Sequence, residues 1–129
     1  MTRARTVVAT AHAPSAIGPY SQAIRCGNLV FLSGQIGLDP ATGELVDGGF
    51  EAQVRQAFKN LGEVTKASGG SFAQVAKLTL FLTDLAHFAK VNEIMKPLFE
   101  PVFPARSTVG VASLPKGALF EVEAVLMLD

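Results

Sequence analysis

From Leu119 to Leu128 apolar side chains fall on every second position, at Phe120, Val122, Ala124, Leu126 and Leu128, with Glu121 and Glu123 between them. A period of two belongs to a β-strand, so this segment turns one face to a core and two carboxylates away from it. Such a strand needs a covering layer, and an earlier segment supplies one. Between Phe50 and Ala67, apolar residues at Phe50, Val54, Ala57, Phe58, Leu61 and Val64 recur at helical spacing, and Ser68-Gly69-Gly70 ends the run.

The rest of the chain extends the pattern. Ser21–Arg25 and Leu29–Ser33 read as short strands joined through Cys26-Gly27-Asn28, a hairpin signal, and Asp39-Pro40-Ala41-Thr42-Gly43 reads as a turn. Val75–Leu82 is rich in strand formers and reads as a largely buried strand. Thr83 or Asp84 then caps a second helix running to about Phe99, with Phe88, Val91, Met95, Leu98 and Phe99 on one side; Pro101 and Pro104 stop it. Ala105–Ala112 follows as a small, apolar, buried strand. The order of strands, helix, strand, helix, strands predicts an α+β sheet with two helices packed on one face. No linker, repeat or low-complexity tract divides it, so residues 1–129 are expected to form one domain.

One residue breaks the apolar character of the Ala105–Ala112 segment. Arg106 shares a face with Thr108, Gly110 and Ala112, while Ala105, Ser107, Val109 and Val111 share the other. A guanidinium keeps its proton and is costly to bury unpaired, so it needs an anion. Small neighbours leave room for a two-pronged contact with a planar carboxylate. That carboxylate is either a protein group, with Glu121 the candidate across neighbouring strands, or one carried by a substrate.

Composition excludes several function classes. The chain is 49% hydrophobic and only 17% charged, against about 25% charged in ordinary domains. Some of that apolar surface is expected in a subunit interface, and an apolar second sheet face predicts an oligomer. Eleven basic residues balance eleven acidic ones, with no basic cluster beyond Arg3 and Arg5, which argues against nucleic acid as a partner. No long apolar run suggests a secretory signal or a membrane span, and Cys26 is the only cysteine; a cytoplasmic location is expected. There is no phosphate-binding glycine loop, no Gly-x-Ser-x-Gly elbow and no Cys/His spacing suited to zinc. His12 reads as a loop residue, His87 as a helix-face residue, and Cys26 as an inert thiol.

Four separated segments carry a family resemblance: Ala13-Pro14-Ser15-Ala16-Ile17-Gly18-Pro19-Tyr20-Ser21-Gln22-Ala23, Phe31-Leu32-Ser33-Gly34-Gln35-Ile36, Phe103-Pro104-Ala105-Arg106-Ser107 and Phe120-Glu121-Val122-Glu123-Ala124. Together, from about Thr6 to Leu128, they closely resemble the RidA family. The resemblance implies a chorismate-mutase-like mixed sheet with two helices on one face, assembled as a homotrimer with clefts between subunits. It also implies hydrolysis of reactive 2-imino and enamino acids, such as the 2-aminoacrylate shed by pyridoxal-phosphate enzymes, to 2-oxo acids and ammonia, without a metal or organic cofactor. By the same resemblance Arg106 binds the substrate carboxylate and Glu121 positions or activates water. Tyr20, Ser33, Gly34, Asn92 and Thr108 line the cleft. Many relatives carry cysteine where this chain has Thr108, so no thiol chemistry is available there.

Such a reaction asks little of a protein. The imine must be oriented, a water placed and a proton moved. Ser33-Gly34 suits close approach of a ligand to backbone, and Phe88 or Ile17 is a candidate for the side-chain end of the substrate. Taken without the resemblance, Tyr20 and Ser33 read as partners of nearby backbone and Asn92 as an exposed helix residue. The contrasting reading of the whole chain is a non-catalytic, small-ligand-binding or regulatory trimer of the same fold. Retention of Arg106 together with Glu121 favours the enzyme.

Overall fold

The computed structural model describes residues 4–129, so Arg3 lies outside the described residues. Strands β1 (Thr6–Val8), β2 (Ala23–Cys26) and β3 (Leu29–Gln35) precede helix α1 (Gly49–Ala67); β4 (Val75–Leu82), α2 (Phe88–Phe99), β5 (Ala105–Gly110) and β6 (Phe120–Met127) follow. The six strands form one sheet in the order β1-β2-β3-β6-β4-β5. All pairings are antiparallel except that of β4 with β5, which α2 connects.

The strictly alternating C-terminal strand is thus inserted in the middle of the sheet, between β3 and β4. Its apolar face is covered by α1, whose Val54, Ala57, Phe58, Leu61 and Val64 are fully buried beside Phe120, Val122 and Leu126. Each aliphatic side chain of that size contributes about 1.5–3 kcal/mol on burial. Helix α2 adds Val91, Ile94, Met95 and Phe99 to the same side, and the Phe58 ring packs 5.9 Å from Phe99 and 5.7 Å from Phe120. Both helices therefore lie on one face, as the order of elements predicts.

Local chemistry sets the boundaries. Gly69 takes φ 91 and the Gly70 N–H closes on Thr65 O at 3.1 Å, a left-handed cap that ends α1. Of the two candidate caps for the second helix, Asp84 serves: its Oδ1 accepts from Ala86 N at 2.9 Å and starts a single 3-10 turn leading into α2. Phe88 and Leu98 differ from expectation, being partly exposed while Ile94 is buried. Phe88 lies beside β5, which is an edge strand of the sheet among the described residues.

Two other sequence expectations change. β5 is an edge strand with mostly exposed side chains, because only β4 pairs with it. A short apolar run looks the same in the middle of a sheet and at its rim. β1 carries too few residues to show a period and was not legible. The open face of the sheet displays Val7, Phe31, Val109 and Met127, all exposed.

Candidate active site

Arg106 and Glu121 do not meet. In register, Arg106 on β5 lies opposite Leu78 on β4, which lies opposite Ala124 on β6, so the two strands are never neighbours. Alternation places Arg106 on the helix-covered face with Leu78 and Ala124, whereas Glu121 pairs with Phe81 on the open face. A salt bridge between them across adjacent strands, one of the two readings of the sequence, is excluded within a chain by both sheet order and face.

Each residue instead belongs to its own cleft. Glu121, half-buried, lies over Gly34, where β3 carries a bulge: Leu32 pairs with Ala124 and Gln35 with Val122, so Ser33 and Gly34 together oppose Glu123. A Cβ on Gly34 would collide with Glu121 Oε2 and stand 2.8 Å from its Cδ, so the absence of a side chain makes the seat for the carboxylate. Burial, and then the like charge of Glu123, raise the Glu121 pKa above its usual 4.5. Around the carboxyl a cleft of about 550 Å³ is lined by Tyr20, Ser33, Ile17, Lys116 and Gly34. Ser33 Oγ donates to Ser21 O at 2.6 Å, and Tyr20 Oη accepts from Ile17 N at 3.4 Å. Both hydroxyls are backbone partners and cleft walls at once.

Arg106 lies in a second cleft of about 360 Å³, with Asn92, Met95, Lys96, Phe103 and Pro104. Nη1 donates to Asn92 Oδ1 at 2.6 Å and lies 3.8 Å from Met95 Sδ, and the guanidinium carbon stands 4.9 Å from the Phe88 ring centroid. Phe88, Asn92 and Met95 are presented together because residues three and four apart share one side of α2. The connection from β4 through α2 to β5 brings that side against Arg106. Among the described residues Arg106 makes no ion pair. A charged fork held by an amide and an aromatic shelf, with no protein carboxylate among the described residues, has the chemistry to receive an anionic group.

Thr108 shares the face of Arg106, but its Oγ1 is buried without a hydrogen-bond partner and it lines neither cleft. Of the two candidates for the substrate's side-chain end, Ile17 lines the Glu121 cleft and Phe88 shelves Arg106. Met95 beside Arg106 and Gln22 in the wall of the Glu121 cleft were not singled out from the sequence; for Met95 the signal was its helical spacing from Asn92. His87 packs against Phe50 with ring centroids 4.3 Å apart and planes tilted by 34°, and Cys26 ends β2 as a free thiol. Among the described residues, no three His, Cys, Asp or Glu side chains are grouped to hold a metal ion, and no helix is long and apolar enough to cross a membrane.

Comparison with known proteins extends this geometry. A family model described as Endoribonuclease L-PSP matches residues 10–127. The human protein named 2-iminobutanoate/2-iminopropanoate deaminase is 51% identical over 121 residues, which cover 94% of this chain and 88% of the human one. The crystal structure of RidA from an Antarctic Psychrobacter superposes with a TM-score of 0.92 at 45% identity, covering 95% of this chain and 99% of that one. Escherichia coli TdcF with bound serine gives a TM-score of 0.91 at 39% identity, covering 96% and 99%.

Proposed function

The chain belongs to the Endoribonuclease L-PSP family, which includes the RidA-like deaminases it matches along nearly its full length, and from that premise we propose that it is a 2-iminobutanoate/2-iminopropanoate deaminase. The observation that carries the mechanism is the separation of Arg106 from Glu121 onto opposite faces of one sheet. A small 2-imino acid cannot touch both within one chain. The catalytic unit of the proposal therefore spans two single-domain subunits, and in the homotrimer that the family resemblance implies, the Arg106–Asn92 cleft of one subunit faces the Glu121–Tyr20–Ser33 cleft of its neighbour. Exposed Phe31, Val109 and Met127 on the open face, and Val102 and Phe103 beside the β5 edge, supply apolar surface for that contact.

In this arrangement Arg106 pairs with the substrate carboxylate and orients the imine carbon toward a water held by Glu121. The water oxygen bonds to that carbon as the C=N π pair moves to nitrogen, and Glu121 takes one proton from the water and passes it to that nitrogen. In the resulting aminoalcohol the hydroxyl proton passes through Glu121 to the amine nitrogen, the C–N bond breaks as the C=O bond forms, and ammonia departs from the 2-oxo acid. A raised Glu121 pKa supports the proton-transfer role, since a base works best when its pKa lies near the operating pH. Asn92 holds the guanidinium, Gly34 leaves space for the carboxylate, and Thr108 adjoins Arg106 along the substrate-binding strand. The balance of eleven basic and eleven acidic residues supports a small-molecule substrate over nucleic acid. A cytoplasmic site of action beside pyridoxal-phosphate enzymes, whose chemistry releases such enamines, completes the proposal.

The test is the rate of 2-oxo acid release when a serine or threonine dehydratase generates the imine in situ and semicarbazide competes for it. Acceleration by the wild type and not by Arg106→Ala is the expected result. Failure of the folded, oligomeric wild type to accelerate release would turn the reading to a ligand-binding or regulatory trimer.

A further inference from the structure

We propose that Gln22 is the positioning residue of the Glu121 cleft: its buried side-chain amide staples residues 10–14 to the start of β2 and thereby places the loop that carries Ile17 and Tyr20. The ladder between β1 and β2 ends at the pair Val8 and Ala23, and beyond it the chain leaves the sheet over residues 9–22. Gln22 continues that ladder with its side chain. Oε1 accepts from Thr10 N at 2.7 Å and Nε2 donates to Thr10 O at 3.1 Å, the two-way exchange that a neighbouring strand would supply.

The same nitrogen donates to Pro14 O at 2.7 Å and reaches Ala13 O at 3.3 Å. With two hydrogens for three carbonyls, one of these contacts is shared. Meanwhile the backbone oxygen of Gln22 accepts from Ser33 N at 2.9 Å, joining the staple to the bulge beneath Glu121. One residue thus ties the loop wall of the cleft to its floor. The remaining hydrogen bonds of residues 9–20 are local, from Ile17 N to Tyr20 Oη, Tyr20 N to Gly18 O and His12 N to Thr10 Oγ1, while at the far end of the loop Ser33 Oγ donates to Ser21 O. Among the described residues, no other hydrogen bond connects residues 14–20 to the sheet.

Chemistry selects glutamine here. At 5% exposure the amide is out of reach of bulk water, so its partners are not replaceable by solvent. Glutamate would set an acceptor against three carbonyls, methionine would fill the space without bonding, and asparagine would fall one methylene short. The consequence for rate rests on the deaminase reading; the consequence for loop order does not.

The chain holds one tyrosine and no tryptophan, so tyrosine emission reports Tyr20 alone. Gln22→Met is compared with Val64→Ala, a fully buried position on α1 outside both clefts, as a control for general loss of stability. Expected for Gln22→Met are a lower Tyr20 fluorescence anisotropy and a KM raised about tenfold, equivalent to about 1.4 kcal/mol, with kcat changed less. Should Gln22→Met not fold, Gln22→Asn carries the same comparison. Anisotropy or KM moving no further than in Val64→Ala overturns the proposal. If the wild type has no deaminase activity, the proposed function fails, and anisotropy alone still decides whether Gln22 holds the loop.

Discussion

If the reaction needs Arg106 from one subunit and Glu121 from another, two inactive variants must rescue each other. Within a chain the residues sit two strands apart, about 10 Å across the sheet, and Glu121 lies three residues along from Ala124, the register partner of Arg106, or about 10 Å along the strand. Their α-carbons are thus about 14 Å apart, with side chains on opposite faces. The carboxylate carbon and imine carbon of the substrate are one bond apart, about 1.5 Å. Arg106→Ala removes a charge-assisted pair worth about 3 kcal/mol, close to a hundredfold in rate. Glu121→Gln removes a general base worth about 10²–10⁴-fold. After unfolding and refolding an equimolar mixture, each site draws its arginine donor and its glutamate donor at random. A site is intact when the first is the Glu121→Gln chain and the second the Arg106→Ala chain, so about a quarter of sites work. The dehydratase-coupled assay should then read about a quarter of wild-type rate, some 25-fold above the Arg106→Ala parent. Mixed oligomers verified by native mass spectrometry that remain at the parents' rates would refute the intersubunit site.

Gly34→Ala should fold, because the atom in its way is the end of a flexible glutamate. It should lower kcat about tenfold or more by displacing the Glu121 carboxylate; unchanged kcat with unchanged stability would remove that carboxylate from the reaction. Thr108→Val should stabilise the protein by about 1 kcal/mol, since it deletes a buried hydroxyl without a partner at constant shape. A lower denaturation midpoint would mean that the hydroxyl is bonded. Glu121 titration has two readouts of opposite direction. Burial and Glu123 raise its folded pKa above 4.5, so its contribution to stability is fully present below 4.5 and is lost as pH rises through the raised value. Over the same rise kcat/KM should increase as the base ionises, and Glu121→Gln should abolish both trends; a wild-type stability curve parallel to that of Glu121→Gln contradicts this.

Local pattern in the sequence was enough for most elements. β4 spans Val75–Leu82 as read, α1 begins one residue before Phe50, and the alternation after Leu119 becomes β6, because a period of two or 3.6 is created by the side chains themselves. The motif resemblance was equally local: short segments around Tyr20, Ser33, Arg106 and Glu121 were enough to indicate the family that the model match establishes. The same locality explains why Gln22 was read only as part of a motif. Its partners Thr10, Ala13 and Pro14 lie across a loop closure that no spacing rule describes.

Alternation tells which residues of a strand share a face, and so it separated Arg106 from Val109 and Glu121 from Val122. It is silent on which strands become neighbours and on which face of each meets the helices. Those choices come from long-range pairing, in which β6 returns to the middle of the sheet and leaves β4 between Arg106 and Glu121. Two residues that the sequence suggested as partners are thereby held apart in one chain, because strand order is settled by burying all the apolar faces at once rather than by any segment alone.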